Sequence, residues 1–220
     1  MNFRGIELPP AYYQDEWVYI IHGDCREILP SIPDKGIDLV LTDPPYGIGK
    51  DGQKRTTGGH GGRKAYEFMG WDIERPSLET FKQIIRTSKA QVIWGGNYFA
   101  DLLPAFGKWL VWDKGQRIKQ SDGELAWTSY NGALRIYNLN RVELMLDNAK
   151  HPTQKPLKLM RWCIKQSPES QTILDPFMGS GSTLMAGKHL NRYCIGIEIE
   201  EKYCEIAAKR CCQSVMELNV

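Results

Sequence analysis

Short apolar runs alternate with amphipathic stretches along nearly the whole chain, and this alternation constrains the fold more than any other feature. Val18 to His22, Ile37 to Thr42, Gln91 to Trp94, Trp109 to Trp112, Leu125 to Ser129, Thr172 to Leu174 and Tyr193 to Ile197 each read as a strand. Most are continuous in apolar residues, as strands buried on both faces are. Between them lie helical patterns. Ser77 is placed to cap a helix with Leu78, Phe81, Ile84 and Ile85 on one stripe. Pro156 suits the first turn of a helix burying Leu157, Met160 and Ile164. Ser182 to Leu190 and Glu201 to Val215 read as two more, the last with Tyr203, Ile206, Ala207 and Arg210 close together. The expected fold is α/β, an open sheet of about seven mostly parallel strands with helices on both faces.

At 220 residues the chain is expected to form one domain, 1–220, with a substantial core. No apolar run approaches the ~20 residues of a membrane helix. Met1 to Glu7 lacks the apolar centre of a signal peptide. A soluble, cytoplasmic protein is expected, with no membrane partner. The formal charge of +2 argues neither for nor against nucleic acid, so any basic surface must be local. Six cysteines are scattered without a C-x-x-C pair, so no metal site is expected and reduced thiols are.

Four of the strand-like runs end in an acid: Asp24, Asp43, Asp175 and Glu198. Ligands of open α/β sheets sit beyond the carboxyl ends of the strands. Any one of these acids could instead cap the helix that follows. Two of them begin distinctive segments, Asp43-Pro44-Pro45-Tyr46 and Asp175-Pro176-Phe177-Met178-Gly179-Ser180-Gly181-Ser182-Thr183. The glycine turn lets backbone approach a ligand at a helix N-terminus. A phosphate loop would need Gly-Lys-Ser/Thr after the turn, which neither Gly181-Ser182-Thr183 nor Gly187-Lys188-His189 supplies, and G-x-G-x-x-G is absent. A zwitterionic ligand without phosphate fits better. The Asp43 segment sets an acid beside an aromatic ring, and its prolines fix φ and stiffen the turn.

As a pair, these two segments resemble the amino-methylating DNA methyltransferases. The motif order, with the catalytic segment before the cofactor segment, is that of their circularly permuted beta class. The resemblance implies a Rossmann-like class I methyltransferase sheet and S-adenosylmethionine as cofactor. It also implies direct in-line transfer of a methyl group to an exocyclic base amine. By position, Asp175 would face the amino group of the cofactor's methionine part and Phe177 would pack on the cofactor. Pro176, Gly179, Gly181, Ser182 and Thr183 belong to the same segment. Glu198 would take the ribose hydroxyls, and Asp24 with Cys25 would meet the cofactor adenine. His151-Pro152-Thr153-Gln154-Lys155-Pro156 looks like the family segment in which Thr153 and Lys155 meet the cofactor carboxylate. An exposed lysine at a helix start is the plainer reading of Lys155.

At the target, Asp43 would accept one amino hydrogen and the Pro44 carbonyl the other. Pro45 would stiffen the turn, and Tyr46 would stack on a base extruded from the helix. Covalent attack on a pyrimidine ring would need the Pro-Cys pair of another methylating family, and the chain has none. In this family D-P-P-Y is commoner for adenine and S-P-P-Y for cytosine, so adenine N6 is expected. Cytosine N4, an RNA substrate, and a non-catalytic DNA-binding module with this fold are the alternatives. Intact Asp43, Pro44, Pro45 and Tyr46 speak against the last.

Residues 47–70 form a glycine-rich basic stretch carrying Lys50, Lys54, Arg55, Arg63 and Lys64. Glycine at this density predicts a mobile loop, either a solvated one or a DNA-contacting lid. Larger relatives carry a separate target-recognition region where this chain has only residues 131–150. That stretch is too short for a domain, so sequence reading would fall to loops, to a second subunit in a homodimer, or be weak. Arg135 and Arg141 there are candidate phosphate contacts.

Overall fold

The computed structural model describes residues 2–49, 72–115, 121–140 and 155–213. Its strands are β1 (Asn2–Phe3), β2 (Ile6–Glu7), β3 (Tyr13–Gln14), β4 (Val18–His22), β5 (Ile37–Thr42), β6 (Ser88–Trp94), β7 (Trp109–Asp113), β8 (Gly123–Thr128), β9 (Arg135–Asn138), β10 (Thr172–Asp175) and β11 (Tyr193–Glu198). The α-helices are α1 (Cys25–Ile28), α2 (Leu78–Thr87), α3 (Leu157–Ile164), α4 (Ser182–Lys188) and α5 (Glu201–Gln213).

Among the described residues the main sheet has nine strands in the order β3-β4-β11-β10-β5-β6-β8-β7-β9, and β1 and β2 pair separately. The five central strands, β4, β11, β10, β5 and β6, are mutually parallel. Strands β8 and β7 then run as an antiparallel pair beside β6. All seven expected strands are present. The four that the sequence reading missed, β1 to β3 and β9, are two to four residues long, too short for a periodicity to register. The stretch from residue 131 is therefore not wholly loop. Arg135 opens β9, which pairs in parallel with the outer edge of β7.

Burial explains the largely apolar composition of the central strands. Val18, Ile20, Leu39, Leu41, Val92 and Trp94 belong to one buried cluster together with residues of α3, α4 and α5. Tyr19, Ile21, Val40, Ile93, Leu174 and Ile195 belong to a second cluster with residues of α1 and α2. Successive residues of one strand thus enter opposite cores, and both must be apolar. Truncating one of these fully buried leucines to alanine costs about 2–5 kcal/mol.

The helix signals are met with local adjustments. Ser77 caps α2, accepting a hydrogen bond from the Thr80 N–H at 3.2 Å. Phe81 and Ile84 are buried, whereas Leu78 faces solvent. Pro156 precedes the first residue of α3. Helix α4 ends at Lys188, and Asn191 takes the left-handed conformation just beyond it, as a C-terminal residue often does. Helix α5 buries Tyr203, Cys204, Ala207 and Cys211, a face rotated from the expected one, with Ile206 only half-buried.

The register sets the functional edge. Asp38 of β5 accepts the backbone N–H groups of Gln171 and Thr172, each at 2.9 Å, and pairs with Lys89 at 2.8 Å. This clamp fixes the start of β10 against β5. Leu174 pairs with Val40, so Asp43 lies two residues past the level of Asp175. Asp175 pairs with Gly196, and Glu198 with His22. Because these strands are parallel, Asp24, Glu198, Asp175 and Asp43 line the same sheet edge. The chain leaves β10 toward β11 on one side and β5 toward β6 on the other. The boundary between β10 and β5 is therefore the topological switch point, where open α/β sheets bind ligands.

Candidate active site

A cavity of about 670 Å³ opens at this edge, lined among others by Asp24, Asp43, Phe177, Gly179, Glu198 and Tyr203. That volume suits a ligand of cofactor size. Asp175 is buried at its base. It accepts hydrogen bonds from Thr42 Oγ1 at 2.7 Å, Thr183 Oγ1 at 2.5 Å and the Phe177 N–H at 3.2 Å. One carboxylate thereby ties the end of β5 to the start of α4. Burial pushes Asp175 up to about 6, against the lowering effect of these donors. Glu198 accepts the Gly179 N–H at 2.8 Å and the Glu200 N–H at 2.9 Å, and burial pushes it up to about 7.

The turn between them is built by close approach. Gly181 has φ +79°, and a Cβ there would lie 2.9 Å from the Ala207 Cβ of α5. Arg210, one turn further along α5, donates to the Ser180 carbonyl at 2.5 Å. Asp24 plays the capping role weighed for it. It accepts the Arg26 N–H at 2.8 Å and pairs with the Arg26 guanidinium, which holds its carboxyl below the ordinary range.

The donor set fits S-adenosylmethionine. Among the described residues Asp175 and Glu198 have only neutral hydrogen-bond donors, so when ionised their charge would repel a phosphate while favouring a cationic ligand. Ser182 Oγ, which belongs to a residue on the cavity wall, is buried without a hydrogen-bond partner among the described residues. Such an orphan is normally satisfied by ligand or water.

The D-P-P-Y segment forms the adjoining corner. Asp72 accepts the Tyr46 N–H at 2.8 Å and the Gly47 N–H at 2.9 Å, holding the turn from beneath. The Tyr46 hydroxyl donates to Asp43 Oδ1 at 2.5 Å. Its ring stacks on Tyr98, with centroids 4.7 Å apart and planes 16° from parallel. Gly95, at φ +71°, makes room for that ring: a Cβ there would fall 2.1 Å from Tyr46 Cε1. A base stacking on Tyr46 therefore meets a ring that already has one aromatic partner.

Lys155 is not the exposed helix-start lysine of the plainer reading. It is 7% exposed and pairs with Asp43 Oδ2 at 2.5 Å and Glu124 at 3.1 Å. Glu124, on β8, also pairs with Lys114 at 2.6 Å. Burial disfavours the Lys155 ammonium, but Asp43 and Glu124 outweigh it and hold its pKa well above the usual value. Burial pushes Asp43 up, Lys155 opposes and Glu124 adds to the rise, leaving Asp43 above the ordinary carboxylate range. The sequence reading missed Glu124, Asp72, Gly95 and Tyr98. An acid inside an apolar strand and a glycine pair at a strand end were the available signals for Glu124 and Gly95.

Lys50, Lys54, Arg55, Arg63, Lys64, Arg141 and Thr153 lie outside the described residues. Arg135 is exposed on β9. The cysteines play no visible part in the chemistry. Cys25 is buried, and burial pushes its thiol up to about 12. Cys163, Cys194, Cys204 and Cys211 are buried too, and none of them lines the cavity. Cys25→Ser is accordingly expected to keep its methylation rate. A covalent adduct with DNA that disappears in this variant would contradict that.

This arrangement defines a class I methyltransferase. The N6/N4 DNA methylase family matches residues 93–209, more than half of the chain, and the protein belongs to that family. Its methyl donor is S-adenosylmethionine, and its substrate is an exocyclic amine of DNA, adenine N6 or cytosine N4. The chain is 27% identical to the Type II methyltransferase M.HpaI of Haemophilus parainfluenzae, over 87% of this chain and 73% of that protein. It is 28% identical to the Type II methyltransferase M.HinfI of Haemophilus influenzae, over 87% of this chain and 67% of that protein. Among solved structures, the M1.HpyAVI–SAM complex superposes with a TM-score of 0.59 at 24% identity, covering 88% of this chain and 98% of that one. The cytosine-N4-specific PvuII DNA methyltransferase does so with a TM-score of 0.62 at 17% identity, covering 96% and 90%. Among the described residues no helix is long and apolar enough to cross a membrane.

Proposed function

We propose that the protein methylates adenine at N6 in DNA, by direct transfer to a base turned out of the helix. The observation that carries this is the aspartate opening D-P-P-Y at the switch-point edge, next to the cavity. S-adenosylmethionine supplies a methyl group activated on a sulfonium. An aromatic amine is a poor nucleophile because its lone pair is delocalised into the ring. Asp43 accepts one amino hydrogen and the Pro44 carbonyl the other, which favours pyramidal nitrogen and aims its lone pair. Pro45 stiffens the turn, and Tyr46 stacks on the base. The cofactor lies along Asp175 to Thr183 and Glu198, with Phe177 packing on it, and its adenine lies near Asp24 and Cys25. Thr153 and Lys155 face its carboxylate end. Lys50, Lys54, Arg55, Arg63, Lys64, Arg135 and Arg141 contact DNA phosphates. A homodimer would supply sequence reading that a reduced 131–150 region cannot.

Incubation of the protein and DNA with labelled cofactor, followed by nucleoside analysis, tests the base. N6-methyladenine is expected, and N4-methylcytosine as the labelled product would overturn the assignment.

The cofactor assignment carries a pH prediction. Asp175 at about 6 and Glu198 at about 7 must be ionised to hold a cationic, hydroxyl-rich ligand. Calorimetric affinity for S-adenosylmethionine is expected to weaken as pH falls through 7 and then 6. Below each value the loss is about tenfold per unit for a group that must be charged. In the ligand-free protein the expected sign is opposite: both carboxyls bind their protons more tightly folded than unfolded, so the contribution of these two groups to thermal stability should fall as pH rises from about 4 toward 7. Affinity that does not change with pH would mean that these acids only cap the turn.

A further inference from the structure

We propose that Glu124 is a positioning residue for methyl transfer, serving as the second seat for the Lys155 ammonium so that Asp43 is released to accept the target amine. The inference rests on Asp43 being that acceptor. In the free protein both oxygens of Asp43 are engaged, Oδ1 by the Tyr46 hydroxyl and Oδ2 by Lys155. A carboxylate neutralised by an ammonium at 2.5 Å is a poor acceptor for the weakly polarised N–H of a base amine. Charge must return to Asp43 when the base arrives. Lys155 cannot move into solvent, because it is 7% exposed, and an unpaired buried ammonium is costly.

Glu124 resolves the conflict. Its Oε1 accepts from Lys114 at 2.6 Å, which anchors the side chain on β8. Its Oε2 is buried, has no well-aligned hydrogen bond among the described residues, and lies 3.1 Å from Lys155 Nζ in a looser ion pair than the one Lys155 makes with Asp43. A small swing of the ammonium satisfies that oxygen and loosens its hold on Asp43. The ammonium stays in the pocket throughout, with Tyr46 and Trp94 rings 5.8 and 5.7 Å away. The charged and titratable groups that act most strongly on Asp43 and its partners are Lys155, Glu124 and Tyr46 directly, Asp175 across the edge, and Lys114 behind Glu124.

The test compares Glu124→Gln and Glu124→Asp with the unmodified protein in steady-state DNA methylation across pH. Cofactor affinity is measured separately, and Asp43→Asn is run alongside. For Glu124→Gln, kcat is expected to fall between about tenfold and 100-fold, the scale of a displaced contact at a reacting centre. Cofactor affinity should be unchanged. The acid limb of the profile should move to lower pH, because a negative neighbour that raises Asp43 is gone. Glu124→Asp keeps the charge but retracts it, so it should lose rate with the acid limb in place. A purely structural role would lower rate and thermal stability together and leave the limb of both variants unmoved. An unmoved limb in Glu124→Gln, or a rate within twofold of the unmodified protein, overturns the proposal. If Glu124→Gln does not fold, full activity in Glu124→Asp does so instead. An active Asp43→Asn would remove the underlying assignment of Asp43. An inactive Asp43→Asn beside an unaffected Glu124→Gln would remove only the role of Glu124.

Discussion

Asp43→Ala is expected to abolish methyl transfer while leaving S-adenosylmethionine binding nearly intact. The loss should be on the order of 100-fold or more, the usual consequence of removing a preorganised polar partner at a reacting centre. The two effects separate because of where Asp43 stands. It closes β5 at the rim of the cavity, whereas the carboxylates assigned to the cofactor, Asp175 and Glu198, end β10 and β11. Neither Asp175 nor Glu198 has Asp43 as a hydrogen-bond partner. Lys155, the group most exposed to the loss, still has Glu124 at 3.1 Å, so the variant does not bury an orphaned ammonium and should fold. Single-turnover methylation and calorimetry on the same preparation check both halves. Undiminished turnover would remove the proposed mechanism.

Lys155→Met is expected to be the more damaging change to the protein as a whole. It leaves Asp43 and Glu124 facing each other, with Lys114 alone among the described residues to offset two negative charges. Breaking a buried ion pair from one side costs about 3–5 kcal/mol. Asp43 and Glu124 are 19% and 26% exposed, so solvent screens part of this and the lower end is expected. Asp43, already raised by burial, loses the positive charge that opposes the rise and moves higher still. Activity should therefore survive only at higher pH than in the unmodified protein. Its folded carboxyl then binds a proton more tightly than the unfolded chain does. The stability deficit should be small in acid and grow as pH rises past about 4. Thermal melts and rate profiles over a shared pH range test this. A variant with unchanged melting and an unchanged acid limb would mean that Lys155 is not the counter-ion of Asp43.

Several features of the fold were legible because one local cause produces them. Strands β4, β5, β6, β10 and β11 feed apolar residues into cores on both faces, so each carries a short, mostly apolar run that stands out from its surroundings. Ser77 and Pro156 signal helix starts through chemistry confined to a single turn. The acids at the strand ends were legible for the same reason, since parallel strands deliver their carboxyl ends to one edge. The short strands β1 to β3 and β9 carry no such signal. The ambiguity over Asp24 was also real. Its oxygens cap α1 and pair with Arg26, and no local pattern separates a cap from a ligand.

By itself, then, the sequence determined the parallel α/β sheet, the edge at which the cavity opens and the two segments that mark its family, because each is written in contiguous residues. Only the tertiary structure decided which charges share a pocket. Asp43, Glu124 and Lys155 come from three separate parts of the chain. They meet because β8 turns back antiparallel beside β6 while the segment before α3 returns to the same edge. A charge in a sequence has no partner until the backbone supplies one. Whether Lys155 was a solvated surface lysine or a buried counter-ion depended on desolvation and on two carboxylates brought in from far along the chain.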